Sequence, residues 1–342
     1  MIRFGIVGFG LHAVKRLMPG FALAQNCRVT ALSRRALARA RQSAAEFNIP
    51  LAFDSARELC QSTEVDAVFI ATPNACHLGD VLTAVECGKP VLCEKPMGIH
   101  AAECRQMVEV ARQANLLLGV AQVFRFENTT TRLRERVHAG DVGTPIFARA
   151  EFSFPARNAA RTWLYDAALA GGGPIADVGV HAIDALRYML DDEVVSVSAR
   201  AACDGESGNV EAAAALILEF SRGTLAATLV SFRADYRTPV EIVGDRGVLR
   251  ADDGFTVERP IRVEFRRDGN VVDAELLSNE SAYVRQVDMF AEALEGRTPY
   301  RVPGEEGWQN QEIIDAAYRS IKSGRAEAVF QVAKPGTGRR CH

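Results

Sequence analysis

The chain is 342 residues long, 48% hydrophobic and 24% charged, with a formal net charge of −3. That length suits about two domains at roughly 150 residues each, and the composition is that of an ordinary globular protein. The slight acidity gives no footing for nucleic acid or a membrane surface, no apolar run approaches the ~18 residues of a membrane span, and no signal peptide opens the chain, so a cytoplasmic protein is expected.

The first strand candidate, Arg3–Val7, runs into Gly8-Phe9-Gly10-Leu11-His12-Ala13 and then a helical pattern, Ala13–Leu23. This is the G-x-G-x-x-A form of a dinucleotide-binding fingerprint in strand–turn–helix context. Gly8 allows the tight turn, Gly10 lets the backbone approach a pyrophosphate, and Ala13 lets helix and strand pack closely. Phe9 and Leu11 complete the expected cofactor loop. The pyrophosphate would rest on the helix N-terminus, where free N–H groups and the dipole favour anions. Taken alone, the same residues also describe a plain glycine-rich turn.

The second strand candidate, Arg28–Leu32, is followed by Ser33-Arg34-Arg35. An acid that binds a ribose 2′-hydroxyl stands about 20 residues past the fingerprint in NAD-preferring versions. Ser33 stands there instead. Ser33 can hydrogen-bond a 2′-phosphate and Arg34 can clamp it with a bidentate fork. NADP(H) is therefore expected over NAD(H), the alternative being that Arg34 and Arg35 are solvated loop charges.

Helical patterns at Ala36–Phe47, Ala56–Gln61, Cys76–Cys87 and Ala101–Ala114 alternate with strand candidates Ala67–Thr72, Val91–Cys93 and Leu117–Val120. Continuous apolar strands with helical crossovers imply a doubly wound parallel sheet over residues 1–122, covered on both faces. Ala71-Thr72-Pro73-Asn74-Ala75-Cys76-His77 and Glu94-Lys95-Pro96 follow two of these strands. Both lie at carboxyl ends, where ligands bind in open α/β sheets. A lysine held there can donate to a substrate oxygen and stabilise developing negative charge during hydride transfer, although Glu-Lys-Pro also suits a surface turn. The eight cysteines include no C-x-x-C pair. Their dispersal argues against a zinc site or a disulfide framework.

Beyond residue 122 the pattern changes. Pro145–Phe154, Val194–Ala201, Ala213–Phe220 and Thr224–Arg233 read as strands, with turns expected at Ser221-Arg222-Gly223, Asp245-Arg246-Gly247, Asp252-Asp253-Gly254 and Asp268-Gly269-Asn270. These describe a meandering, mainly antiparallel sheet. Helices are expected at Tyr283–Leu294 and Glu305–Ser323, an edge strand at Ala328–Val332, and a flexible tail over 334–342. Between the strands, Gly171-Gly172-Gly173 precedes a helical pattern with Asp177 and His181 four residues apart. A near-neutral histidine can take the proton of an alcohol as hydride leaves. Asp177 could orient the imidazole or a substrate hydroxyl, with Asp184 behind it. The pair would equally serve as a helix-surface ion pair. No third ligand for a metal accompanies it.

In this order and spacing, Gly8-x-Gly10-x-x-Ala13, Ala71-Thr72-Pro73-Asn74 with His77, Glu94-Lys95-Pro96, Arg125-Phe126, Gly171–Gly173 through Asp177 and His181, and Glu241–Gly244 with Gly247 resemble the Gfo/Idh/MocA oxidoreductase family over nearly the whole chain. The resemblance implies a Rossmann domain (1–122) followed by an α+β domain (123–333) with a large open, mainly antiparallel sheet. It also implies a homodimer or homotetramer formed through that sheet. It assigns Lys95 contact with the nicotinamide ribose and substrate, His181 the general acid/base role and Asp177 that of its partner. Thr72, Asn74, His77 and Glu94 would line the cofactor, and Gln122 would lie near the nicotinamide. Arg161, Trp163 and Tyr283 would shape the substrate pocket. Many relatives follow Arg-Phe with Asp-Pro, whereas Glu127-Asn128 stands here, which leaves the start of the next helix open. The expected activity is an NADP(H)-dependent exchange of hydride with a sugar, cyclitol or related polyol. The alternatives are a glycoside hydrolase assisted by transient cofactor reduction and a non-catalytic NADP(H) sensor.

Overall fold

The computed structural model of the chain describes residues 1–156 and 161–333; the expected tail, 334–342, lies outside the described residues. Six short strands, β1 (Ile2–Val7), β2 (Cys27–Ser33), β3 (Leu51–Phe53), β4 (Ala67–Ile70), β5 (Val91–Glu94) and β6 (Leu118–Ala121), form a sheet in the order β3-β2-β1-β4-β5-β6. Every pairing in it is parallel. Phe4, Ile6, Phe69, Ile70 and Leu92 are fully buried, as continuous apolar strands between helical layers must be. The strand order reverses between β1 and β4, which opens a crevice at their carboxyl ends.

The covering helices are α1 (Met18–Leu23), α2 (Leu37–Glu46), α3 (Ala56–Gln61), α4 (His77–Glu86) and α5 (Ala101–Gln113). A π-helical turn over Ala13–Leu17 leads into α1. Strand β3 has no counterpart in the sequence reading. Three residues are too few to show a period, and pairing with β2 decides their conformation.

The second sheet contains nine strands: β7 (Pro145–Ser153), β8 (Val194–Ala202), β9 (Ala213–Phe220), β10 (Leu225–Ser231), β11 (Val240–Gly244), β12 (Val248–Ala251), β13 (Ile261–Arg267), β14 (Asn270–Leu277) and β15 (Glu327–Ala328). Their order is β14-β13-β12-β11-β7-β10-β9-β8-β15. Strands β7 and β10 pair in parallel and the other neighbours antiparallel. Ser221–Gly223, Asp245–Gly247 and the Asp268-Gly269 turn close hairpins as expected. At the last of these, both residues have positive φ, 48° and 78°, the demand of a type I′ turn. Asp252-Asp253-Gly254 opens the longer connection between the antiparallel neighbours β12 and β13, with a turn in which the Thr256 N–H donates to the Asp253 carbonyl at 2.9 Å. Asp253 bridges to Thr238, and the chain continues to Pro260 before β13 begins. Strand β15 is shorter than expected, ending at Ala328 after pairing with Ser196 and Val197.

Helices α6 (Asn128–His138), α7 (Ala167–Ala170), α8 (Val180–Leu190), α9 (Ala282–Leu294) and α10 (Gly304–Ser323) complete the molecule. Helix α8 is buried along almost its whole length and packs on β7. Helix α10 lies between the sheets, against α5 and β6 on one side and β8 and α8 on the other. Helix α9 packs on α1, and its Phe290 ring sits 5.9 Å from Phe4. Beside it, the Val120 N–H donates to Val302 at 2.9 Å. A Cβ at Gly119 would lie 2.6 Å from the Tyr300 ring. The last part of the chain thus covers the first sheet and pairs with its β6 edge. Among the described residues, no helix is long and apolar enough to cross a membrane.

Candidate active site

A cavity of about 1140 Å³ opens at the carboxyl ends of β1, β2, β4 and β5 and extends under β7 and α8. Gly8, Phe9, Gly10 and Leu11 line it. Gly8 has φ 83°, and a Cβ there would lie 2.7 Å from the Thr72 N. Glycine is therefore required both by conformation and by the close approach of two loops. A Cβ on Gly10 would meet no protein atom nearer than the Gly8 carbonyl, 3.8 Å away. That open space over a helix N-terminus fits a pyrophosphate. At the same end Ser33, Arg34 and Arg35 line the cavity. Arg34 donates to Ser43 Oγ at 2.8 Å, which steadies its guanidinium. Asp54, following β3, also lines this end, so a carboxylate stands there that the linear reading did not place.

Thr72, Asn74, Glu94 and Lys95 reach the cavity from the loops after β4 and β5. Thr72 donates to Asp80 at 2.7 Å and Asn74 to the Ala170 carbonyl at 2.8 Å. Two expected cofactor residues do not line the cavity. His77 is fully buried, with Nδ1 3.0 Å from the Pro96 carbonyl and Nε2 2.9 Å from that of Thr72. Burial holds its pKa below the usual histidine value, so the ring braces the two loops. Gln122 is also buried, with neither amide atom hydrogen-bonded. It lies behind Ala121 and Val123, which do line the cavity.

Lys95, Asp177 and His181 converge at the centre of the cavity. Lys95 follows β5 and is joined to Pro96 by a cis peptide bond. Its Nζ donates to the Asp177 carbonyl at 2.7 Å and to Asp177 Oδ1 at 3.1 Å. Asp177 lies in a π-helical turn, Ile175–Gly179, directly before α8. Burial opposes its ionisation, yet Lys95 and then Arg161 hold its carboxyl below the usual range. Burial, reinforced by the positive charges of Lys95 and Arg161, drives His181 well below the usual histidine value. Its ring is therefore neutral, and Nδ1 has no hydrogen-bond partner.

The expected orientation of His181 by Asp177 is not what the geometry shows. The carboxylate is drawn to the Lys95 ammonium, a stronger partner than a neutral ring. Nor does Asp184 stand behind the pair. It accepts two bonds from Arg125, at 2.7 and 2.8 Å, and one from Asn310 at 2.8 Å. Arg125 and Arg187 both reach Glu306 on α10, so this buried cluster anchors α8 from below.

Other supports were not visible in the sequence. His12 Nε2 lies 2.8 Å from Glu94 Oε1 and ties the fingerprint to the Lys95 turn. Glu211 accepts from the Gly173 and Ile175 N–H groups, each at 3.0 Å, and from the Tyr318 hydroxyl at 2.9 Å. It thereby fixes the glycine turn that delivers Asp177. A Cβ on Gly172 would lie 1.8 Å from that tyrosine oxygen. Arg161, Trp163 and Tyr283 line the cavity as expected, joined by Phe124, Phe152, Phe154, Tyr236 and Phe255. Among the described residues, no group of three or more His, Cys, Asp or Glu side chains is placed to hold a metal ion.

Comparison with known proteins bears on the family and the fold. Residues 2–122 match the oxidoreductase family with an NAD-binding Rossmann fold, and residues 130–250 match the GFO/IDH/MocA C-terminal domain. The chain is 32% identical to D-xylose 1-dehydrogenase (NADP(+)) 2 of Haloferax volcanii, over 94% of this chain and 98% of that one. It is 29% identical to trans-1,2-dihydrobenzene-1,2-diol dehydrogenase of Mus musculus, over 83% and 87% of the two chains. The crystal structure of aldose-aldose oxidoreductase from Caulobacter crescentus superposes with a TM-score of 0.88 at 23% identity, covering 96% of this chain and 99% of that one. That last likeness is one of fold.

Proposed function

The chain belongs to the Gfo/Idh/MocA family of oxidoreductases, and on that premise we propose that it exchanges hydride between NADP(H) and a secondary alcohol or carbonyl carbon of a sugar, cyclitol or related polyol. The convergence of Lys95, Asp177 and His181 beside the Gly8–Gly10 cradle supports this reading most directly. The nicotinamide, when bound, supplies the hydride acceptor or donor. Lys95 donates to the reacting substrate oxygen and stabilises the negative charge that builds there. Asp177 aims that ammonium through its carbonyl and its carboxylate. His181, neutral through burial, accepts the hydroxyl proton in oxidation and returns it in reduction.

The NADP(H) preference rests on Ser33, Arg34 and Arg35 at the end of β2, and the name of the Haloferax volcanii relative is in keeping with it. Assembly as a homodimer or homotetramer is supported by Phe147, Ile217, Leu225 and Leu229, exposed together on the outer face of β7, β9 and β10. The test is an absorbance assay at the NADPH band with NADP+ and a panel of sugars and polyols. Net reduction with at least one of them is expected. Glycoside cleavage without net NADPH would point to the hydrolase chemistry instead. NADPH binding without any turnover would overturn the enzymatic reading.

A further inference from the structure

The cofactor end of the cavity carries charges of both signs. Ser33, Arg34 and Arg35 stand at the end of β2, and Asp54 follows β3, the outermost strand of the first sheet. Ser33 pairs with Phe53, and the Arg34 N–H donates to the Phe53 carbonyl at 3.1 Å. Arg34 and Asp54 are therefore the next residues along two neighbouring parallel strands, which run about 4.8 Å apart. Both line the cavity. The carboxylate thus stands one strand outward from the place of the ribose-binding acid in NAD-preferring versions of this fold.

No contact among the described residues accounts for this carboxylate. Helix α3 is capped by the following residue, Ser55, whose Oγ accepts from the Glu58 N–H at 3.1 Å. Arg57, in the first turn of that helix, pairs with Glu86 at 2.7 Å, and Arg34 is held by Ser43 Oγ. Asp80, another carboxylate of the lining, accepts from Thr72. Asp54 itself is exposed and makes no hydrogen bond or ion pair. Such a carboxylate can accept a hydrogen bond from a 2′-hydroxyl. A 2′-phosphate, with close to two negative charges, meets only repulsion from it.

We propose that Asp54 is a second selector of the cofactor, which holds back the 2′-phosphate and keeps NAD(H) able to compete for the site. This rests on the reading of Ser33, Arg34 and Arg35 as the 2′-phosphate site. The arginines attract the phosphate, and Asp54 subtracts from that attraction. A ribose with a free 2′-hydroxyl escapes the subtraction. The preference for NADP(H) is therefore set lower than the arginines alone would put it.

The test is fluorescence titration of the intact protein with NADPH and with NADH, read without substrate. Asp54→Asn removes the charge and keeps the shape. It should tighten NADPH binding by about three- to tenfold, the scale of one exposed charge acting on a doubly charged group, and leave NADH binding unchanged or weaker. The gain should shrink in about 1 M salt, where screening confines such forces to about 3 Å. Asp54→Glu keeps the charge and should bind NADPH much as the unaltered protein does. NADPH binding that is unchanged or weaker in Asp54→Asn overturns the inference. An equal change for both cofactors, the mark of a structural role, does so too, as does a gain that salt does not diminish. Weaker binding of NADPH than of NADH by the unaltered protein would instead overturn the NADP(H) preference, and the change in NADPH affinity on Asp54→Asn would still decide the role of Asp54.

Discussion

The two halves of the cavity are built on different principles. The half under the first sheet is made largely of backbone: the Gly8 turn against Thr72, the open space above Gly10, and loops braced by His77. The half under the second sheet is made of side chains, with Phe124, Phe152, Tyr236 and Phe255 brought together from four separate segments. Backbone recognition needs a particular local sequence and leaves a motif. Side-chain recognition needs only that topology deliver a ring to the right place. The first half can therefore hold one kind of cofactor while the second changes what is oxidised.

The sharpest way to break this division is Lys95→Ala, since Lys95 stands at the seam. We expect kcat to fall by about 10²–10³, the cost of losing one charge-stabilising donor, while NADPH affinity, read by fluorescence titration, holds. A collapse of cofactor affinity would move Lys95 wholly into the first half. Next in size is Arg34→Asp, which should move the ratio of kcat/KM for NADP+ over NAD+ towards NAD+ by about 10–100-fold, the scale of a charged hydrogen bond. An unchanged ratio would dismiss Ser33 and Arg34 as selectors.

Arg161→Gln probes the second half through pH. His181 must be neutral to accept a proton, and burial with the cations Lys95 and Arg161 keeps it so below its ordinary 6.5. The acid limb of kcat/KM for oxidation should therefore lie below pH 6.5 in the unaltered protein. It should move upward when the Arg161 charge is removed. A limb that stays in place would exclude His181 as the base.

The smallest effect concerns Glu127, where the chain departs from the Asp-Pro of many relatives. Helix α6 begins at Asn128 with no side-chain cap, and the Glu127 carboxyl is fully buried beside Thr130. Burial pushes its pKa well above the usual 4.5, with Arg285 and then Thr130 only partly offsetting this. The unfolded chain gives up this proton near pH 4.5 while the folded protein retains it, so stability falls as pH rises from there towards the folded value. Glu127→Gln should melt a few degrees higher at neutral pH, at about 2–4 °C per kcal/mol for a domain of some 200 residues, and no higher at pH 4. An equal melting temperature at both values would mean that the carboxyl is solvated.

Much of the first sheet was legible because its strands are continuous apolar runs punctuated by long amphipathic helices. Residues Gly8, Gly10, Ser33, Thr72, Asn74, Glu94 and Lys95 could be placed from their positions at strand ends. Asp177 and His181 were legible as a pair but not in their roles, since the partner of Asp177 lies 82 residues away at Lys95. Helix α6, with Leu133 as its one fully buried large apolar side chain, has too thin a stripe to be seen. Asp-Asp-Gly is turn chemistry and the turn is there, but nothing local shows that it carries Phe255 to the cavity. Gly254 also serves a close approach, its Cβ position lying 2.6 Å from the Val240 side chain.

The return of the chain to β6 has a consequence for how the protein is made. Phe290, Tyr300 and Val302 lie some 170 residues or more beyond the strand they complete. A nascent chain that has released its first 122 residues carries the strands of the first sheet, but the seat of Phe290 is uncovered and the outer edge of β6 is unpaired. Such an edge invites pairing with other chains. That sheet closes only when the final helices leave the ribosome, so the first part of the protein to be synthesised is among the last to be finished.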